Sequence, residues 1–417
     1  MTLSPKRRWA LFALLLMAGI LNLIDRQIIA VLKPVISADL GWSDDDYGTL
    51  AAWFQGSAAF AFLITGWIAD KAGVKWANAL GVSAWSVAAI AHAWAATMGQ
   101  FAFVRAALGA TEAMGTPNGI KTIATIFPPD QRSTGYGILN AVGSIGGILA
   151  PLLIPLLAAF YGWRSAFIIA GAAGLVWAIL WLCAVRGIRF GDEGDPSATP
   201  HGAPAYGPLL RERRTWTVAG AKVLSDATWW LMLFWMPDFF HRQFGLAGTT
   251  LGPPLAVAYT GAAIGALVAG TIASRLLVRG RELDRVRKGT MLVSALAVVP
   301  VPLALFTTEL WVATAILALT MAGHQAFSAT LFATIADITP GAKVGRVTAF
   351  GAFCGNLGGM AIVKIAGLVL AAGLGYLPMF LFAAISYLLA LGWIQLLLPR
   401  IRRAEPHENL AGLAIAH

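Results

Sequence analysis

Gly66-Trp67-Ile68-Ala69-Asp70-Lys71-Ala72-Gly73-Val74-Lys75 sets a charged hinge between two long apolar runs, near 47–69 and 77–97. Glycines at both ends of the segment admit a tight turn. Asp70 can cap a helix or pair with a cation, and Lys71 and Lys75 hold this end of the hairpin in a polar environment. Each flanking run is close to the ~20 residues that cross a bilayer core as a helix. A degenerate echo, Gly270 followed by Ser274-Arg275, stands at the matching place in the second half of the chain. A charged turn alone does not explain that echo; a repeated architecture does.

Outward from the hinge the same grammar continues. The 417 residues are 58% hydrophobic and only 12% charged, with a mean hydropathy of +0.72, whereas soluble domains carry about 25% charged residues. Forty-five glycines and 16 tryptophans fit close helix packing and interfacial aromatic belts. The short alternating segments of a transmembrane β-barrel are absent. Twelve spans are expected, near 9–32, 47–69, 77–97, 100–122, 134–160, 164–185, 216–240, 251–275, 287–306, 309–335, 345–372 and 376–398.

The formal charge of +10 does not point to nucleic acid, because of where it sits. Alternate loops carry it: Lys71 and Lys75, then Arg132, then Arg275 through Lys288, then Lys343 and Arg346. This is the positive-inside pattern, and it predicts both termini on the cytoplasmic side. Lys6, Arg7 and Arg8 before an apolar run mimic a signal peptide. No small-residue cleavage site closes that run, and Asp25-Arg26 interrupts it, so it reads as the first span. Cys183 and Cys354 lie in apolar segments without metal-like spacing. The polar, Pro- and Gly-rich stretch 191–214 reads as a linker. The expected organisation is a six-helix half at 1–190, a cytoplasmic linker at 191–214, a second six-helix half at 215–400 and a tail at 401–417.

The hinge resembles the G-x-x-x-D-[RK]-x-G-x-[RK] loop signature of the major facilitator superfamily, in the right topological place. That resemblance implies an all-α membrane protein with twelve helices in two pseudo-symmetric halves and a midplane site reached by alternating access. Asp70, Lys71 and Lys75 then become gating candidates.

Charges inside the spans carry the functional reading. An ionised residue at the membrane centre costs at least ~2.5–3.5 kcal/mol, so it faces a partner or a watered cavity. Asp25 and Arg26 sit about two-thirds along span 1. Arg105 and Glu112 in span 4 are seven residues apart, on roughly one helix face and ~10 Å apart along the axis. A basic group and a carboxylate on each of two helices fit anion capture beside a protonatable acid; they also fit two ion pairs holding the helices together. Asn22-Leu-Ile-Asp25-Arg26 resembles the N-Y-x-D-R start of the anion:cation symporter family, and Arg105-(six residues)-Glu112 matches its fourth helix. The resemblance implies that Arg26 contacts a substrate carboxylate and that Asp25 and Glu112 carry coupling protons. Leu23 and Ala58 stand where relatives have tyrosines, which implies a differently shaped pocket.

In the second half, Lys222-Val-Leu-Ser-Asp226-Ala-Thr-Trp229-Trp230, continuing to Phe234-Trp235-Met-Pro237, resembles a stretch of hexuronate-type members. Lys222 and Asp226 are i,i+4 and can pair as a structural or gating lock; substrate contact is the other reading. Trp229, Trp230 and Trp235 are expected as packing or belt residues, with a stacking platform for a sugar ring as the alternative. His324-Gln325, with Ser328 one turn on, resembles another segment of the same members, and reads either as a hydroxyl-binding or gating set or as a satisfied core histidine. Asn356 and Lys364 in span 11, and Asn140 and Ser144 in span 5, are further polar candidates. Gly143, Gly146, Gly147 and Pro151 are expected to permit close packing and bending.

The resulting expectation is a proton-coupled symporter of a small-molecule carboxylate, a hexuronate such as galacturonate or glucuronate. It would work as a monomer in the bacterial cytoplasmic (inner) membrane, without a cofactor beyond H⁺. An aldonate, an unsaturated uronate or an aromatic acid are alternative cargoes, and export is the alternative direction. No metal cluster, P-loop or soluble domain speaks for an enzyme or a sensor.

Overall fold

The computed structural model describes residues 4–188, 190 and 206–404; the side chains of 129, 130, 133, 134, 137, 140, 141, 143, 144, 341 and 342 fall outside that description. The described residues form α-helices and short 3-10 turns, with no strand among them. In lipid this follows from backbone chemistry, since a helix satisfies every peptide group within itself.

Each expected span coincides with a helix. Span 1 is α1 (Pro5–Val31), extended by the short α2 (Lys33–Leu40). Spans 2 and 3 run together as α3 (Asp44–Ala91) across one kink, at Gly73 (φ +69°, ψ 164°). The hinge glycine thus takes a left-handed conformation that favours glycine. Span 4 is broken into α4 (Met98–Glu112) and α5 (Gly115–Ile126). The remaining spans are α6 (Pro129–Tyr161), α7 (Trp163–Ala184), α8 (Arg213–Phe244), α9 (Gly252–Val278), α10 (Leu283–Val298), α11 (Leu310–Ile338), α12 (Gly341–Ala371) and α13 (Leu377–Leu397). Eight helical stretches among the described residues are long and apolar enough to cross a membrane by length and composition. Two starts carry reciprocal capping boxes, Ser43 with Asp46 on α3 and Thr97 with Gln100 on α4, which satisfy otherwise orphaned N–H groups.

Two compact units are present. The first comprises Met1–Pro204, Leu233–Ala256 and Val363–Ala371; the second comprises Ala205–Met232, Val257–Ile362 and Ala372–His417. The first therefore takes the far ends of α8 and α12 along with α1–α7. Most of the expected linker, at 191–205, and the tail from 405 onward lie outside the described residues.

Small residues set the packing of the first unit. A Cβ on Gly109 of α4 would collide with the Phe54 carbonyl of α3, and one on Gly146 of α6 would stand 2.7 Å from the Ile20 carbonyl of α1. Gly146 thus meets its expected packing role. Gly48 and Gly367 let the start of α3 and the end of α12 touch backbone to backbone. The second unit is built around an apolar core in which Val218, Met291, Phe327, Leu331, Tyr387 and Ile394 interlock.

Candidate functional site

The close approach at Gly109 brings α4 against α3 and lays the Arg105 guanidinium over the Phe54 ring, 4.6 Å from its centroid. Arg26, on α1, lies over the same ring at 5.3 Å. Phe54 thus carries two cations at once, an arrangement worth roughly 0.5–2 kcal/mol per contact. Glu112 is the last residue of α4, and the helix is interrupted directly after it. Thr111 bonds back to the Ala107 and Leu108 carbonyls there, a habit that loosens a helix end.

The two cations differ in their partners. Arg26 Nε donates to Glu112 Oε2 at 3.0 Å, its Nη2 lies 2.9 Å from the same oxygen, and Nη2 also donates to Asn22 Oδ1 at 3.3 Å. Arg105 is fully buried, and none of its three guanidinium nitrogens has a hydrogen-bond partner among the described residues. Asp25 is likewise buried with neither carboxylate oxygen hydrogen-bonded, and Glu112 keeps Oε1 unpartnered. Asp25 lies within electrostatic range of Glu112, and Arg105 within range of Arg26 and Glu112. The four sequence-selected residues thus come together in one cluster. A buried polar or charged group without a hydrogen-bond partner is expensive, and this cluster gathers several such groups in one place. Two guanidiniums beside the carboxylates make it a poor place for a metal cation.

Asn140 and Ser144 have side chains outside the described residues. Asn356 donates to the Ala352 carbonyl of its own helix at 2.8 Å.

Among the gating candidates, Asp70 finds its cation on α5: Lys121 Nζ lies 3.1 Å from its carboxylate and also donates to the Ala69 and Asp70 carbonyls. Lys71 and Lys75 instead lie over Trp67 and Trp76, at 4.2 and 4.9 Å. In the second unit the i,i+4 pair of Lys222 and Asp226 forms at 2.6 Å. His324 stacks on Trp229, while Gln325 is half-buried and Ser328 buried beside it on α11.

An ionic clasp went unread in the sequence. Lys33 Nζ lies 2.7 Å from Asp44 and 2.5 Å from Asp238, and Arg242 bridges the same two carboxylates at 2.5 and 2.7 Å. Lys33 also lies over Trp235 and Tyr47, and the Tyr47 hydroxyl donates to the Phe234 carbonyl at 2.7 Å. Next to it Lys364 pairs with Asp45 and donates to Thr49. All these residues belong to the first unit, where they tie the far ends of α8 and α12 to the starts of α2 and α3. Partners some 200 residues apart leave no spacing signal. The sequence hints were the position of Asp44 and Asp45 beside a helix start and the i,i+4 spacing of Asp238 and Arg242 on α8.

A model of the major facilitator superfamily matches residues 15–363. The hexuronate transporter of Escherichia coli strain K12 is 26% identical over 399 residues, 92% of this chain and 92% of its own length. The galacturonate transporter of Dickeya chrysanthemi is 28% identical over 57% of this chain and 73% of its own length. The D-galactonate transporter of Escherichia coli O6:H1 is 23% identical, covering 94% and 97%. A solved bacterial homologue of the human lysosomal transporter Spinster aligns with a TM-score of 0.74 at 19% identity, over 97% of this chain and all of that one; at that identity the likeness is one of fold. With a family model across most of its length and transporters among its relatives, this chain belongs to the major facilitator superfamily and is a multi-pass membrane transporter rather than an enzyme.

Proposed function

We propose that the chain is a secondary active carrier that takes up a sugar-acid anion, a hexuronate such as galacturonate or glucuronate, in symport with protons by alternating access. The observation that carries this reading is the buried cluster in which no guanidinium nitrogen of Arg105 has a hydrogen-bond partner among the described residues while Arg26 is held by Glu112. A substrate carboxylate neutralises Arg105. A proton on Glu112 weakens its hold on Arg26 and turns that guanidinium toward the same anion, where bidentate donation is available. Asp25, unpartnered in the same cluster, is the second proton acceptor. Binding of anion and proton then favour one another, which is the thermodynamic requirement of coupling.

The cargoes named for the relatives, hexuronate, galacturonate and galactonate, are hydroxylated monocarboxylates and support the substrate class. The basic alternate loops support a cytoplasmic-membrane location with both termini inside. The carrier acts as a monomer, with H⁺ as its coupling ion. The test is Glu112→Gln in proteoliposomes. Proton-driven accumulation should vanish while exchange of internal for external substrate persists. Accumulation at the wild-type level would remove Glu112 from the coupling path.

A further inference from the structure

The second unit contains a chemically different site. On α8, Lys222, Asp226 and Trp229 stand at i, i+4 and i+7, one helix face. Lys222 and Asp226 neutralise each other at 2.6 Å, so that face offers no spare charge to a carboxylate. What it does offer is aromatic and hydrogen-bonding surface. The His324 ring of α11 stacks on the Trp229 indole, centroids 4.7 Å apart and planes at 18°. The Tyr259 ring of α9 meets the indole edge-on at 6.5 Å and 78°. Gly261 and Gly265 make this possible, since a Cβ on either would collide with the Ala318 or Ala322 carbonyl of α11. Trp229 itself stays half-buried.

Hydrogen bonding fixes which nitrogen of His324 carries its proton. His324 Nδ1 lies 2.5 Å from the Tyr387 hydroxyl, and that hydroxyl donates to the Ser225 carbonyl at 3.0 Å. A phenol has one proton and a carbonyl can only accept, so the Tyr387 proton goes to Ser225. Tyr387 oxygen must then accept from Nδ1–H. In the neutral ring Nε2 is therefore a bare acceptor, and it has no partner among the described residues. The Tyr259 hydroxyl is also buried and unpartnered. An acceptor and a hydroxyl thus flank a half-open indole.

We propose that Trp229, Tyr259 and His324, with Tyr387 as the positioning residue, form a hydroxyl-reading subsite that restricts the cargo to polyhydroxylated acids. This rests on the sugar-acid carrier reading and assigns the residues that would enforce it. A sugar hydroxyl donates to His324 Nε2, another exchanges a hydrogen bond with Tyr259, and an apolar patch of C–H groups covers the exposed indole. An aromatic or plain alicyclic acid leaves both polar atoms unsatisfied on binding, and sites built to hydrogen-bond a substrate hydroxyl reject analogues that lack it.

Equilibrium binding of D-galacturonate and of cyclohexanecarboxylate to the purified full-length protein tests this, for the wild type, Tyr259→Phe and His324→Phe. Tyr259→Phe keeps the ring and removes only the hydroxyl. The wild type should prefer galacturonate by at least about tenfold. Each variant should weaken galacturonate by roughly five- to tenfold, about one hydrogen bond, and should not weaken cyclohexanecarboxylate, whose binding tightens as an unsatisfied polar atom is removed. Equal affinity for the two acids in the wild type, or variants that weaken both alike, overturns the subsite while leaving an organic-anion carrier standing. A folded wild type that binds neither acid overturns the sugar-acid reading and the subsite together.

Discussion

Replacing Lys33 by Met should destabilise the protein by about 3 kcal/mol, and the geometry of the ionic clasp says why. Four charges alternate around it, Lys33, Asp44, Arg242 and Asp238, and sum to zero, with every neighbouring pair between 2.5 and 2.7 Å. Lys33 and Asp238 are the desolvated members, at 4% and 3% side-chain exposure, while Arg242 is 43% exposed. Removing one partner of a buried pair costs ~3–5 kcal/mol, mostly from the stranded charge. Loss of the Trp235 and Tyr47 contacts adds roughly 0.5–1 kcal/mol. Arg242 still serves both carboxylates, which holds the total near the low end. The double variant Lys33→Met with Asp238→Asn leaves the neutral Asp44–Arg242 pair and should recover to within ~1–2 kcal/mol of the wild type. Equilibrium unfolding in mixed detergent micelles, run as a double-mutant cycle, measures both. A Lys33→Met protein within ~0.5 kcal/mol of the wild type, or a double variant as unstable as the sum of the singles, would refute a stability role for the clasp.

Arg105→Met should lose carboxylate binding with little net change in unfolding free energy, because the lost contact over Phe54 is offset by removing a buried guanidinium that makes no hydrogen bond among the described residues; reduced stability with intact binding would place Arg105 in the scaffold instead. Gly73→Ala forces a Cβ onto a backbone at φ +69° and should cost ~1 kcal/mol or more in unfolding free energy. Asp70→Asn removes a pair whose carboxylate is 57% exposed, so unfolding should change by under ~1 kcal/mol. Its uptake rate should nonetheless fall if the hinge gates transport, and an unchanged rate would end the gating role.

Periodicity and composition carried the helices because span length is a property of the bilayer and shows in contiguous apolar runs. The charged cluster was legible for the same reason: Asp25, Arg26, Arg105 and Glu112 violate the solvent they sit in, and such violations need no alignment to be seen. What the residues alone did not reveal was the division of labour, Arg26 engaged by Glu112 and Arg105 left open. That division depends on the Gly109 contact that sets α4 against Phe54. The Lys33–Asp238 pair, the Lys121 partner of Asp70 and the Tyr387 support of His324 were invisible for a related reason. Each joins residues tens to hundreds of positions apart, at places where a single Lys, Asp or Tyr near a helix end or in an apolar run reads as ordinary.

The central claim is most directly tested by uptake of labelled galacturonate and glucuronate into proteoliposomes, with and without an imposed inward proton gradient, for the wild type and Arg105→Met. The account predicts accumulation above equilibrium only with the gradient, and none in the variant. Accumulation that ignores the gradient, or survives in Arg105→Met, would contradict it.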